Sequence, residues 1–243
     1  MLHNIVWKVR VLHGKLHENS EIVKKEISHH ARIFRNKCER KKLKRQIFTI
    51  ISNNCIGGVI CHDLGVQFQS PTVNIYIRPY EFVRLCENID YYMGLPLKEV
   101  PYDKRIGYPV AMLGDITLYC KHYASFVEVK KEWMKRKNRI NWDHVYFMMT
   151  DRDFIPPVSV TKSICSCSEE TIKRFDNLPF KNKVCIVQSR EYAERYQSCY
   201  QLMKGCDVNC TGIITNIIGL TGKRMYQYVK DFDYINFINN GME

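Results

Sequence analysis

The chain has 243 residues, 45% of them hydrophobic, with a formal net charge of +12 and a pI near 9.1. That apolar content is enough for a buried core and excludes an intrinsically disordered chain, while the charge favours phosphates, anionic headgroups or acidic substrates as partners. No apolar run reaches the roughly 18 residues of a membrane span and Met1-Leu2-His3-Asn4 opens no secretory pattern, so a cytoplasmic location is expected.

In residues 1–45, Ile5, Val6, Val9, Leu12 and Leu16 recur at helical spacing among Lys8, Arg10 and Lys15. A second basic helical stretch, about 21–45, carries Lys24, Lys25, Arg32, Arg35, Lys37, Arg40, Lys41, Lys42, Lys44 and Arg45. This basic amphipathic extension either lies on an anionic membrane surface, peripheral on its inner face, or packs with a solvated basic side.

From residue 46 the pattern becomes short apolar runs separated by helical segments. Gln46–Ser52 and Thr72–Ile77 read as strands, with a short helix over Gly57–Leu64 between them. Pro79 opens a helix expected to run to about Tyr92, and Val110–Leu113 with Ile116–Cys120 form a hairpin about Gly114-Asp115. A basic helix follows over about 125–138, then a strand at His144–Thr150, a helix starting at Ser168 and a strand at Val184–Gln188. Residues 205–243 offer a break at Gly219–Gly222 and one last helix.

This alternation implies an α/β fold with a mostly parallel sheet flanked by helices, on a basic helical N-terminal extension. Residues 46–243 form the α/β domain, divisible into two Rossmann-like halves at 46–142 and 143–243. The eleven cysteines are odd in number and set in apolar runs such as Val184-Cys185-Ile186, so they are expected to be reduced.

Ligands of open α/β sheets bind at the carboxyl ends of strands. Ser52-Asn53-Asn54-Cys55-Ile56-Gly57-Gly58 follows the first core strand. Asn53 and Asn54 could bond a ligand and Gly57 and Gly58 could let backbone amides approach a phosphate; the same residues would equally make a capped, tight strand-to-helix turn. The segment lacks the Gly-Lys-Ser/Thr of a P-loop and the dinucleotide fingerprint. Cys55 at a helix N-terminus could be an activated thiol with His122 as base, or an unreactive structural cysteine.

Asp151-Arg152-Asp153 at a strand end could act as base, orient a hydroxyl or hold a divalent cation, and it could equally be a salt-bridged loop. Asp115 sits in the hairpin turn. Arg136 and Arg139 share a helix face and could clamp a phosphate or diphosphate. No His/Cys cluster has zinc spacing.

Phe48-Thr49-Ile50-Ile51-Ser52-Asn53-Asn54-Cys55 with Gly57-Gly58, Ser70-Pro71-Thr72, Leu113-Gly114-Asp115-Ile116, His122-Tyr123, Lys135-Arg136 through Trp142, Asp151-Arg152-Asp153 and Leu178-Pro179-Phe180 carry a resemblance over roughly residues 35–190. As a set they resemble a bacterial family of unknown function whose members are often labelled exopolysaccharide biosynthesis proteins. The resemblance implies an α/β fold and a role in capsule, lipopolysaccharide or exopolysaccharide synthesis, without assigning a reaction.

The function expected is therefore transfer to a glycan from a phosphorylated, nucleotide-sugar-like donor. Asn53, Asn54, Gly57, Gly58, Asp115, Arg136, Arg139 and Arg152 are expected to bind substrate, and Asp151 or Asp153 to act as base. The alternatives are a Cys55–His122 acyltransferase or hydrolase acting on a polysaccharide substituent, and a non-catalytic assembly protein on the membrane. Nucleic acid is the disfavoured partner, because the aromatics form no stacking motif.

Overall fold

A computed structural model describes residues 2–101, 106–153, 165–202 and 232–242, without the side chains of residues 2–19, Glu21 and Cys165. In chain order the elements are α1 (Leu2–Lys41), β1 (Thr49–Ser52), α2 (Ile56–Leu64), α3 (Pro79–Glu87), α4 (Ile89–Gly94), β2 (Leu97–Glu99), β3 (Val110–Leu113) and β4 (Ile116–Tyr119). There follow α5 (Phe126–Lys137), β5 (Val145–Thr150), β6 (Arg152–Asp153), β7 (Cys165–Ser166), α6 (Glu169–Asp176), β8 (Lys183–Val187), α7 (Arg190–Arg195), β9 (Cys199–Gln201) and α8 (Tyr234–Asn240).

The principal sheet is parallel and four-stranded, in the order β1-β5-β8-β9. All six residues of β5 are buried, as expected of a strand covered on both faces. Alternation divides its side chains between two cores. Phe147 and Met149 join Ile51, Cys185 and Val187 on the face packed by α3, α5 and α6, with Trp133 and Phe175 among the fully buried residues. Tyr146 and Met148 join Ile50, Val184 and Ile186 on the face covered by α2, α8 and Leu43. A second sheet, β2-β3-β4, is antiparallel, and β6 pairs with β7.

The α/β architecture with a parallel sheet flanked by helices is therefore present. The segments 46–142 and 143–243 share that sheet: β1 comes from the first and β5, β8 and β9 from the second. Strand order advances in one direction, so the described sheet lacks the order reversal that marks the ligand crevice of doubly wound folds.

Two local expectations need correction. Thr72–Ile77 is not a strand, because Asn74 takes a left-handed conformation (φ 66°) and the Ile75 N–H closes a turn on the Thr72 carbonyl at 3.1 Å. Its one strand-like contact is a single bridge, Tyr76 to Tyr119, among the described residues. The helix expected over 79–92 is broken at Asn88 (φ −132°, ψ 45°) into α3 and α4. The N-terminal stretches form one continuous helix of 40 residues. The break at Gly219–Gly222 lies outside the described residues. Eight cysteines are free among the described residues.

Candidate functional site

Because β1, β5 and β8 are parallel, their carboxyl ends bring Asn53-Asn54-Cys55, Asp151-Arg152-Asp153 and Gln188 to one edge. Asn53 is fully buried and its amide bridges two strands. Its Nδ2 donates to the Thr150 carbonyl (3.2 Å) and its Oδ1 accepts from the Thr150 N–H (3.0 Å). Asn54 opens α2, accepting the Ile56 N–H at 3.0 Å, while its Nδ2 donates to Thr150 Oγ1 at 2.9 Å. Both asparagines thus set the shape of the edge.

The glycines serve close packing. A Cβ on Gly57 would lie 2.9 Å from both Ile50 Cγ2 and Ser52 Oγ, and one on Gly58 would lie 3.2 Å from Val73 Cγ1. Gly57 brings α2 onto β1, and its N–H donates to Ser52 Oγ at 3.3 Å. The loop 70–77 is held to the same edge, since the Ser52 N–H donates to Thr72 Oγ1 (3.1 Å) and the Ile77 N–H to the Asn53 carbonyl (2.8 Å).

That loop delivers two residues that the motif reading passed over. Arg78 grips Asp153 bidentately, with Nε and Nη2 each 2.8 Å from a carboxylate oxygen, and Tyr76 donates to Asp153 Oδ1 at 3.5 Å. Arg78 also stacks over the Tyr80 ring at 4.7 Å. Beyond it, Glu81 is 4% exposed; its Oε1 accepts the Thr117 N–H, and its Oε2 has no hydrogen-bond partner among the described residues. Burial raises its pKa, opposed by the Thr117 bonds and by Arg78 and Arg84. A signal for Arg78 was available: it ends an apolar run and precedes a proline at the start of a helix, the same run-then-polar pattern as at 52–54 and 150–153.

Asp151 occupies the centre. Its carboxylate has 0% exposure, and Oδ2 accepts from Ser166 Oγ (3.0 Å) and the Gln188 N–H (3.2 Å). Oδ1 is buried with no hydrogen-bond partner among the described residues. Burial raises the pKa of this carboxyl, and the two bonds and Arg152 only partly oppose it. Arg152 is itself buried, and its carbonyl accepts from the Tyr76 hydroxyl at 3.4 Å.

Cys55 is the N-cap of α2, but its side chain makes no capping bond, and burial pushes its thiol up to about 11 with Lys121 pulling the other way. Desolvation thus outweighs the lowering expected at a helix N-terminus. His122 is lowered by burial and by Lys121. Burial therefore makes the Cys55 thiolate harder to form than in the activated thiol expected of a Cys55–His122 dyad.

The remaining expected residues are dispersed. Asp115 is at the hairpin tip, at the opposite end of β4 from Tyr119, bonded to the Tyr92 hydroxyl (2.7 Å) and Arg84 (3.1 Å). The Tyr92 bond is the main cause of its lowered pKa. Arg136 is buried and engaged by the Tyr123 hydroxyl (2.6 Å), Glu132 (3.1 Å) and the Val73 carbonyl (3.5 Å), so it braces α5 against the 70–77 loop. Arg139 lies beyond α5, two residues before Asn141, whose N–H donates to Thr49 at the amino end of β1. Neither arginine bonds Asn54 among the described residues. Among the described residues, no three His, Cys, Asp or Glu side chains group as a metal site.

What the edge can do chemically follows from its groups. It presents a carboxyl with raised pKa, suited to exchanging a proton, beside an arginine–aspartate pair and two tyrosines. The family model described as "Domain of unknown function (DUF1919)" matches residues 26–239. An "Uncharacterized protein" of Haemophilus influenzae (strain ATCC 51907 / DSM 11121 / KW20 / Rd) is 36% identical over 218 residues, covering 90% of this chain and 97% of that protein. With nearly the whole chain matched in both comparisons, it belongs to the DUF1919 family, a family defined by a domain of unknown function.

Proposed function

We propose that the protein is a transferase acting on a glycan, with a phosphorylated, nucleotide-sugar-like donor bound at the carboxyl edge of the parallel sheet. The observation that carries this reading is the buried Asp151 carboxyl, with one oxygen fixed by Ser166 and Gln188 and the other unbonded among the described residues. Burial raises the pKa of this group, the direction that suits a general base, and in this reading the donor complex admits the attacking hydroxyl to its buried Oδ1. Arg78 supplies a planar cation beside it, and a donor phosphate would compete with Asp153 for the same bidentate face. The residues assigned to the donor therefore shift from Arg136 and Arg139 to Arg78, with Asn54 shaping the edge.

Thermal denaturation with a panel of nucleotide sugars at millimolar concentration, with and without Mg2+, tests the proposal. A bound donor raises the melting temperature, and the rise grows with the logarithm of donor concentration above Kd. Arg78→Ala should abolish the rise, whereas Asp151→Asn should retain it while losing transfer. Absence of any rise across the panel would overturn the reading.

A second reading, docking on an anionic membrane, draws on exposed apolar side chains of α1: Ile22, Val23, Ile27 and Phe34 are each more than half exposed. No helix among the described residues is long and apolar enough to cross a membrane. The docking and transfer readings are compatible, since a membrane-bound acceptor would bring glycan to the protein.

A further inference from the structure

At the amino edge of the parallel sheet, opposite Asp151, an open cleft of about 360 Å³ lies over the starts of β5 and β8. Its volume falls within the roughly 300–1,000 Å³ of small-molecule sites. Trp142, on the 3-10 turn before β5, lines it with 49% of its surface exposed. Phe180 lines it too, stacked on Phe147 with ring centroids 4.0 Å apart and planes 21° apart.

The loop carrying Phe180 is fixed. Lys183 Nζ donates to the carbonyls of Leu178 (2.7 Å) and Phe180 (3.1 Å), and the Asn182 carbonyl accepts the Phe147 N–H at 2.8 Å. The cleft is therefore formed before any ligand arrives. Its polar groups are Asp90, Asp143 and Lys181, all exposed, with Asn182. Neither Asp90 nor Asp143 makes a side-chain hydrogen bond or ion pair among the described residues.

We propose that this cleft binds a neutral saccharide. An aromatic face open to solvent matches the apolar C–H face of a sugar ring, as aromatic side chains do where one surface must be apolar and its border wet. Exposed carboxylates accept from neighbouring hydroxyls, and Lys181 donates. Charge narrows the ligand further: Asp90 and Asp143 set against Lys181, with the Lys183 ammonium behind Phe180, leave the cleft without the cationic excess of a molecule of net charge +12. Phosphate or uronate groups therefore gain little there, although the molecule as a whole attracts them.

The cleft stands on its own chemistry and does not rest on the transfer reading. β5 separates it from Asp151 by six residues, or about 20 Å at the rise of an extended strand. It would hold a glycan chain away from the reacting edge, while the nucleotide-sugar experiment reads only the other edge.

The full-length protein is applied to an array of neutral and anionic oligosaccharides, and the neutral oligosaccharide it retains most strongly is then titrated by calorimetry. Saturable binding is expected to weaken about tenfold or more in Trp142→Ala, and to return to within a few-fold of wild type in Trp142→Phe, which keeps a ring. Asp143→Asn should weaken it less, and Asp151→Asn should leave it unchanged. Retention of no glycan, of anionic glycans alone or of simple cationic amines in preference to sugars would overturn the proposal. So would binding indifferent to Trp142→Ala.

Discussion

Asp151 makes the fold less stable in its charged form. A carboxyl whose folded pKa is raised above the ordinary value of 3.8 destabilises the folded state when ionised. Stability is therefore highest where the group is protonated in both states, and falls as pH rises from the unfolded value through the raised folded one. Asp151→Asn removes that ionisation, so it should raise neutral-pH stability by about 1 kcal/mol, as substitutions relieving functional strain commonly do. The gain should shrink toward pH 3, and urea titrations at pH 3, 5 and 7 give the profile; a loss of stability at pH 7 would show that the charge is structurally compensated. Asn53 behaves in the opposite way. Asn53→Ala leaves both the N–H and the carbonyl of Thr150 without their side-chain partner in a buried setting, at about 1–3 kcal/mol for each unsatisfied group. Chemical denaturation should show a loss of at least about 2 kcal/mol, consistent with a role in fixing the strand ends.

The contact between α2 and β1 gives the two neighbouring glycines different tolerances. In Gly57→Ala the added methyl meets the Ile50 and Ser52 side chains at 2.9 Å and the Ile50 carbonyl at 3.2 Å, so the helix must move off the strand. Overpacking of this kind costs about 1–3 kcal/mol. In Gly58→Ala the one close neighbour is a Val73 methyl at 3.2 Å, and the helix gains about 1 kcal/mol of propensity, so the net change should be near zero. Melting temperatures of the two variants test the difference, and equal losses would mean that the helix seat is softer than its geometry. At this scale the sequence was informative where local signals and burial agree: VYFMMT forms β5, Ser125 and Ser168 cap α5 and α6 through their hydroxyls, and Gly114 turns the β3–β4 hairpin at φ 62°. It misled where a single residue overrides propensity, as Asn74 does in the strand-like run TVNIYI. The site was partly legible for the same reason. Strand ends located Asn54, Asp151 and Asp153, but the partners of Asp153 come from the 70–78 loop, and the internal use of Arg136 depends on contacts 63 residues away in the chain. Cys55 was conspicuous by position, and only its surroundings reveal that desolvation outweighs the helix end.

For the molecule as a whole, charge and apolar exposure coincide on α1. Residues 20–41 contain the basic side chains Lys24, Lys25, Arg32, Arg35, Lys37, Arg40 and Lys41 against the acidic Glu21, Glu26 and Glu39. Along the same helix Phe34 is 71% exposed and Val23 56%. A second copy of this helix would bring like charges together, whereas an anionic lipid surface pairs with the cations while accepting the apolar residues. Each Lys or Arg near such a surface contributes about 1 kcal/mol, and the attraction decays within a Debye length. The full-length protein should therefore sediment with vesicles containing phosphatidylglycerol and not with vesicles of phosphatidylcholine alone. Raising the salt from 50 to 500 mM should release most of it, because the screening length shortens severalfold over about that range. Lys24→Glu with Lys25→Glu should weaken pelleting at low salt, and Phe34→Ser should weaken the fraction that resists salt. Pelleting that ignores both the salt and the lipid charge would remove the membrane as the partner of α1 and leave the helix to another protein.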